Sequence, residues 1–173
     1  MYEKIETKDL ILAKAKMEDL EAIHNNFWSE EETAKYMLWI PSKSIEESRE
    51  RLESVIEFQK TRPYTYFVYE KSTMQAIGMA GIKEIEPNVY EDAGIGIGSK
   101  FQHKGYGKQI LLAFIDLAKN ELKAKRFVCG CDSRNIPSAK LQQSCGLKYS
   151  HSTNEIRKKD GAPFVQDHYD ITF

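Results

Sequence analysis

The chain has 173 residues, 41% of them hydrophobic, with 25 Lys plus Arg against 26 Asp plus Glu and a formal net charge of −1. That length suits one domain with a single sizeable core, and the charge balance offers no basic field for nucleic acid and no block of like charge for a membrane surface. The longest apolar run, Ile110 to Ile115, is far below the roughly twenty residues of a spanning helix, and Glu3, Lys4, Glu6 and Lys8 at the start do not read as a signal peptide.

In chain order, Glu6 to Ala15 is predicted as a first strand centred on Ile11 and Leu12. Met17 to Phe27 carries Leu20, Ile23 and Phe27 at helical spacing. Ser44 with Glu47 reads as a capping box opening a helix through Ile45, Leu52, Val55, Ile56 and Phe58, which Pro63 stops. Tyr64 to Glu70, aromatic and β-branched, is a strand; Ala76 to Ile85 is another, joined through polar Lys71-Ser72-Thr73. Ala93-Gly94-Ile95-Gly96-Ile97 reads as a strand ending in glycines, and Lys108 to Leu117 as a helix with an apolar stripe. Arg126 to Asp132 is an apolar strand, Pro137 starts a helix, Asp160-Gly161 marks a turn, and Phe164 to Phe173 is the last strand. No repeat, low-complexity segment or linker interrupts residues 1–173, so the expected class is α+β, one domain with a mixed sheet. Three cysteines are an odd number, and Cys129 and Cys131 alternate along one strand; reduced thiols and a cytoplasmic setting follow as the expectation.

Between the glycine-ended strand and its helix stands Gln102-His103-Lys104-Gly105-Tyr106-Gly107. A strand feeding a glycine-rich turn that opens a helix makes an anion seat, because the helix start presents unpaired N–H groups and the positive end of its dipole. Gly105 and Gly107 let the main chain approach a bulky anion and tolerate positive φ, so the amides from His103 to Lys108 are predicted to hold a diphosphate, with Lys104 or Lys108 adding charge. The spacing is wrong for a P-loop, and Gly94, Gly96 and Gly98 are wrongly spaced for a dinucleotide fingerprint. An isolated Gly-x-Gly also describes a tight connection and nothing more.

Further along runs Asn135-Ile136-Pro137-Ser138-Ala139-Lys140-Leu141-Gln142-Gln143-Ser144-Cys145-Gly146-Leu147. The Gln-x-x-Gly-x-Gly loop and this Asn-x-x-Ser-x-x-Leu segment together resemble the Gcn5-related N-acetyltransferase family, most strongly its branch of ribosomal-protein N-terminal acetyltransferases. Glu6 to Leu12 looks like that branch's first strand, and Lys35-Tyr36-Met37-Leu38-Trp39-Ile40-Pro41 like its segment between the first two helices. The resemblance implies a mostly antiparallel mixed sheet flanked by helices, whose fourth and fifth strands diverge to admit acetyl-CoA. It places the pantetheine arm along the main chain of Ile95, Gly96 and Ile97, pairing as an added strand would, with Asn135 on the other wall. The other reading of Asn135 is a cap on the helix that Pro137 starts.

The acceptor is expected to be a primary amine, attacking as the free base from a ternary complex. An α-amine near pKa 8 is partly neutral at pH 7, whereas a lysine amine needs more help. Where many family members carry a tyrosine to protonate the departing thiolate, this chain has Gln142; the ribosomal branch has a serine at the position of Ser138, which stabilises sulfur or merely satisfies a first helical turn. Asp92 is a candidate base, on one face with Gly94 and Gly96 by alternation; Glu84 and Glu86 on the preceding strand and His151 and His168 on the late strands are others, and none outranks the rest decisively. No metal is expected, since Cys129 and Cys131 lack a matching ligand pair, and Cys145 reads as buried. Trp28, Tyr36, Met37 and Trp39 form either core or the acceptor cleft. Three readings stay open: transfer to a protein N-terminus, transfer to a polyamine, antibiotic or amino acid, and a non-catalytic acyl-CoA-binding module. An acidic patch at Glu84, Glu86, Glu91 and Asp92 would favour a cationic acceptor. A C-terminal edge strand leaves monomer and homodimer both open.

Overall fold

A computed structural model describes residues 3–173. The strands follow the order β1-β2-β3-β4-β5-β6-β8-β7, and the chain falls into two compact units: residues up to Gly81 with Gly94–Ile110, and Ile82–Ala93 with Leu111–Phe173.

In the first unit, β1 (Lys4–Glu6) and β2 (Leu10–Ala13) pair antiparallel, Glu6 opposite Ile11. The single strand expected from Glu6 to Ala15 is therefore a hairpin. Its reason is local: the Thr7 N–H donates to the Leu10 carbonyl at 3.0 Å, and the Leu10 N–H donates to Thr7 Oγ1 at 3.2 Å, so polar Thr7-Lys8-Asp9 reverses the chain. β2 pairs with β3 (Thr65–Glu70), and β3 with β4 (Gln75–Glu86). Met17 to Trp28 is helical, regular over α1 (Leu20–Ile23) and widened over His24–Trp28, where Asn26, Phe27 and Trp28 are all buried. A short α2 (Glu31–Ala34) follows.

α3 (Ile45–Thr61) starts at Ser44, whose Oγ accepts from the Glu47 N–H at 3.2 Å. The return half of the capping box lands one residue early, with Glu47 Oε2 accepting from the Lys43 N–H at 2.8 Å. Leu52 packs with Ile23, Phe27, Trp28, Phe67, Tyr69 and Ala76 in one apolar cluster. Phe58 on the same helix is 52% exposed.

The second unit holds the start of β5 (Val89–Ile97) beside β6 (Arg126–Asp132), in a short parallel ladder of Val89–Arg126, Tyr90–Phe127 and Glu91–Val128. Among the described residues the ladder ends there, although both strands continue; these are the fourth and fifth strands of the sequence reading, renumbered by the extra hairpin. β8 (Pro163–Thr172) pairs antiparallel with the whole of β6, and β7 (Lys148–Ile156) with β8. The C-terminal strand is thus interior, against the expectation of an edge. The edge is β7, whose polar and almost wholly exposed residues suit that position. α4 (Tyr106–Asp116) and α5 (Ile136–Ser144) complete the fold, and Ile110, Leu111, Phe114 and Ile115 bury the apolar stripe of α4.

Candidate functional site

The turn before α4 closes on itself and then opens. Phe101 N–H donates to Gly98 O at 2.9 Å and Gln102 N–H to Ser99 O at 3.3 Å. Next, His103 and Gly105 both take left-handed backbone, φ 62° and 77°. The first helical bond runs from the Gln109 N–H to the Gly105 carbonyl at 3.2 Å. Among the described residues, none of the amides from His103 to Lys108 donates to the protein. A Cβ on Gly105 would meet nothing within 4 Å, so the concavity is open on that side. Unspent N–H groups at a helix start, with left-handed residues curling the chain around them, form an anion-binding nest. The second left-handed position is His103 and not Gly107, which is helical.

Two long-range anchors hold this turn. Tyr106 Oη donates to Glu70 Oε1 at 2.6 Å, and Lys104 Nζ donates to the same oxygen at 3.1 Å. Glu70 is 4% exposed. The Tyr106 hydroxyl, ahead of Lys104, holds its carboxyl below the ordinary carboxylate range, and the same bond pushes Tyr106 up to about 12. Lys104 thus pairs with Glu70, while exposed Lys108 has no ion pair among the described residues. Gln109 is the second anchor: its Oε1 accepts from Thr7 Oγ1 at 2.7 Å and the Asp9 N–H at 3.0 Å, and its Nε2 donates to Asp9 Oδ2 at 2.7 Å. Sequence reasoning missed both Glu70 and Gln109. The available signal was a carboxylate ending the otherwise apolar Tyr66-Phe67-Val68-Tyr69.

Along β5, Gly94 has φ 119° and open space where its Cβ would be. At that φ the backbone departs from regular strand, so alternation alone does not fix the face of Asp92 relative to Gly96. Gly96 is glycine for packing: a Cβ there would stand 2.4 Å from Met37 Cε and 2.6 Å from Phe27 Cζ. Ile95 is half-buried and Ile97 buried, and the Ile97 carbonyl accepts from Gln102 Nε2 at 3.1 Å. Asp92 is half-buried; its charge, second to burial itself, keeps the Cys129 thiol protonated. Glu84 Oε1 accepts from the Asn88 N–H at 2.8 Å and so closes the β4–β5 turn, Glu91 pairs with Lys83 at 2.9 Å, and Glu86 is exposed. Part of the acidic patch is thereby structural.

At the end of β6, Asn135 caps α5, its Oδ1 accepting from the Ser138 N–H at 3.2 Å. The capping bond is thus present. Ser138 Oγ lies 3.2 Å from Gln142 Nε2, which is also 3.4 Å from the Gly130 carbonyl. Just before, Asp132 binds Arg134 at 2.7 Å and Arg157 at 3.1 Å, and Arg134 foremost draws its carboxyl down to about 2. His151 and His168 come together on the β7–β8 hairpin, stacked at 4.4 Å, and bond to Ser150 and Thr153 hydroxyls at 3.0 and 2.8 Å.

Cys129, Cys131 and Cys145 are buried and none forms a disulfide. Among the described residues no three His, Cys, Asp or Glu side chains gather as a metal requires, and no helix is long and apolar enough to cross a membrane. The aromatic cluster divides: Trp28 is core at 1% exposure, while Tyr36, Met37 and Trp39 are half-buried. Phe27 and Trp39 rings sit 5.0 Å apart, and the Arg51 guanidinium lies 5.4 Å from both indoles. Tyr66 and Tyr69 belong to the sheet core.

The chain matches the model of the acetyltransferase (GNAT) domain over residues 9–148. No curated protein sequence matches it at significance. Among solved structures it is similar to a putative ribosomal-protein-serine acetyltransferase from Vibrio cholerae, with 24% identity, TM-score 0.82 and coverage of 98% of this chain and 97% of the other. It is also similar to the microcin self-immunity acetyltransferase MccE, in complex with acetyl-CoA and AMP, at 18% identity, TM-score 0.82, and 100% and 98% coverage. RimL, a ribosomal α-N-protein acetyltransferase in complex with coenzyme A, gives 20% identity, TM-score 0.79, and 99% and 98% coverage. These likenesses show the fold, and the match over residues 9–148 decides the matter: the chain belongs to the GNAT acetyltransferase family, enzymes that take their acetyl group from acetyl-CoA.

Proposed function

We propose that the chain, as one acetyltransferase domain, transfers acetyl from acetyl-CoA to the α-amine of a protein N-terminus. The carrying observation is the run of unspent amides from His103 to Lys108 around left-handed His103 and Gly105, which suits the CoA diphosphate. Gln102, Lys104, Tyr106 and Gly107 shape that turn, Ile95, Gly96 and Ile97 offer main chain to the pantetheine amides, and the Asn135 amide nitrogen meets the arm from its cap position. The neutral amine attacks the thioester carbonyl; a C–N bond forms, the C–S bond breaks, and the ammonium proton leaves to Asp92, directly or through water. The Ser138 hydroxyl hydrogen-bonds the departing thiolate.

Support for a protein acceptor comes from the likeness to RimL and to the Vibrio cholerae protein. It rests also on the pKa of α-amines, which a modest base can serve. The likeness to MccE keeps a small-molecule amine as the second reading. A cytoplasmic setting fits three cysteines with no disulfide, and the exposed β7 edge is compatible with monomer or homodimer. Thiol release from acetyl-CoA tests the reading, with peptides beginning in Ala, Ser or Met set against spermidine, lysine and an aminoglycoside. Peptide-dependent release is expected. Release with small amines alone moves the acceptor to the second reading, and CoA binding without release from any of them favours an acyl-CoA-binding module. Equal affinity for CoA and ATP sinks the donor assignment.

A further inference from the structure

Gln142 stands where a proton-donating tyrosine is absent, and its surroundings give it another task. It is 2% exposed, and its carboxamide nitrogen touches two oxygens, the Gly130 carbonyl at 3.4 Å and Ser138 Oγ at 3.2 Å. A carbonyl only accepts, so the atom facing Gly130 is the NH2 end and the amide cannot be flipped. Ser138 Oγ faces that same nitrogen and therefore accepts from it. The Ser138 N–H is already spent on Asn135 Oδ1, and the buried Gln142 Oε1 has no hydrogen-bond partner among the described residues, so it takes no proton from the serine. The hydroxyl hydrogen of Ser138 is left to point elsewhere. Cys131 is the near alternative, since Ser138 and Gln142 both face its sulfur, but burial keeps that thiol protonated and a neutral thiol is a weak acceptor.

We propose that Gln142 is a positioning residue that donates to one of the two lone pairs of Ser138, turning the hydroxyl hydrogen away from itself and toward the sulfur of the leaving coenzyme A. The inference rests on the reading that Ser138 meets the thiolate. Accepting one hydrogen bond also polarises the O–H that donates the next. Glutamine thus replaces the missing acid with orientation: the thiolate leaves as an anion held by one directed hydrogen bond, and solvent protonates it after release.

The test uses the product complex, which needs no acceptor. Thiolate absorbance of bound CoA is titrated with pH in the wild type, Gln142→Met, Ser138→Ala and the double variant, each corrected with the CoA-free protein. The bound thiol is expected to titrate about one pH unit higher in Gln142→Met than in the wild type. The double variant should match Ser138→Ala. In turnover, kcat should fall about tenfold with KM for acetyl-CoA unchanged. Where Gln142→Met does not fold, Gln142→Glu keeps the shape but accepts from the serine, and the bound thiol should again titrate higher. A Gln142 effect that persists undiminished beside Ser138→Ala overturns the positioning role alone, as does no shift in Gln142→Met. No shift in Ser138→Ala overturns the thiolate reading itself.

Discussion

Two helix starts follow two strands in this molecule, and they spend their amides in opposite ways. At α4 the chain curls through His103 and Gly105, and the N–H groups from His103 to Lys108 have no partner among the described residues. At α5, Asn135 caps the Ser138 N–H, and Pro137 in the first turn has no N–H to satisfy. A helix N-terminus is an anion site only when the chain declines to cap it. Once capped, the same geometry frees its side chains for other work, here the Ser138 hydroxyl. The difference also appears in what holds each start. α4 is anchored from far away by Glu70 and Gln109, α5 by residues within its own segment.

The contrast breaks most sharply at Gly105. A side chain there is strained at φ 77°, by about 1–3 kcal/mol, so Gly105→Val should weaken CoA binding at least tenfold by calorimetry. An unchanged affinity would remove the nest from the donor site. Next comes Glu70→Ala, which leaves the buried Tyr106 hydroxyl without its acceptor at a cost of about 1–3 kcal/mol. CoA affinity should fall several-fold, and Gln109 alone should not rescue it.

On the other side of the comparison, Asp132→Asn should lower stability by about 2 kcal/mol at pH 7. The carboxyl lies at about 2 against an ordinary 3.8, so the deficit should be constant above pH 3.8 and should vanish as pH falls through about 2. Denaturant unfolding followed across pH checks this; a gap that persists at the acid end would deny the ion pairs with Arg134 and Arg157. The smallest effect is expected from Asn135→Ala, where losing the cap costs about 1 kcal/mol. Any CoA-affinity loss beyond that measures what the Asn135 amide nitrogen contributes to the ligand.

The local parts of this were legible in the sequence: Arg126–Asp132 as a strand, Ser44 and Asn135 as caps, Asp160-Gly161 as a turn, and the glycine turn before α4. What was not legible depends on contacts between distant residues. Nothing in the neighbourhood of Lys104 reveals that Glu70 takes its charge, nor near Gln109 that Thr7 and Asp9 wait for it. Gly96 looked like a ligand glycine, and it is required by Phe27 and Met37. The last strand of the chain reads as an edge, yet β8 lies between β6 and β7, because chain order does not fix sheet order. The polarity of Lys148-Tyr149-Ser150-His151-Ser152 was the cue that β7 had to lie outermost.

The stacking of Arg51 on Trp28 and Trp39 has a practical reach. The chain has only 2 Trp, and both belong to the first unit, so intrinsic indole emission reports that half alone. Denaturation watched by emission and by far-ultraviolet circular dichroism will coincide if the halves melt together and separate if they do not. The protein thus carries its own optical gauge of whether the donor turn and the Ser138 helix lose their structure in one step.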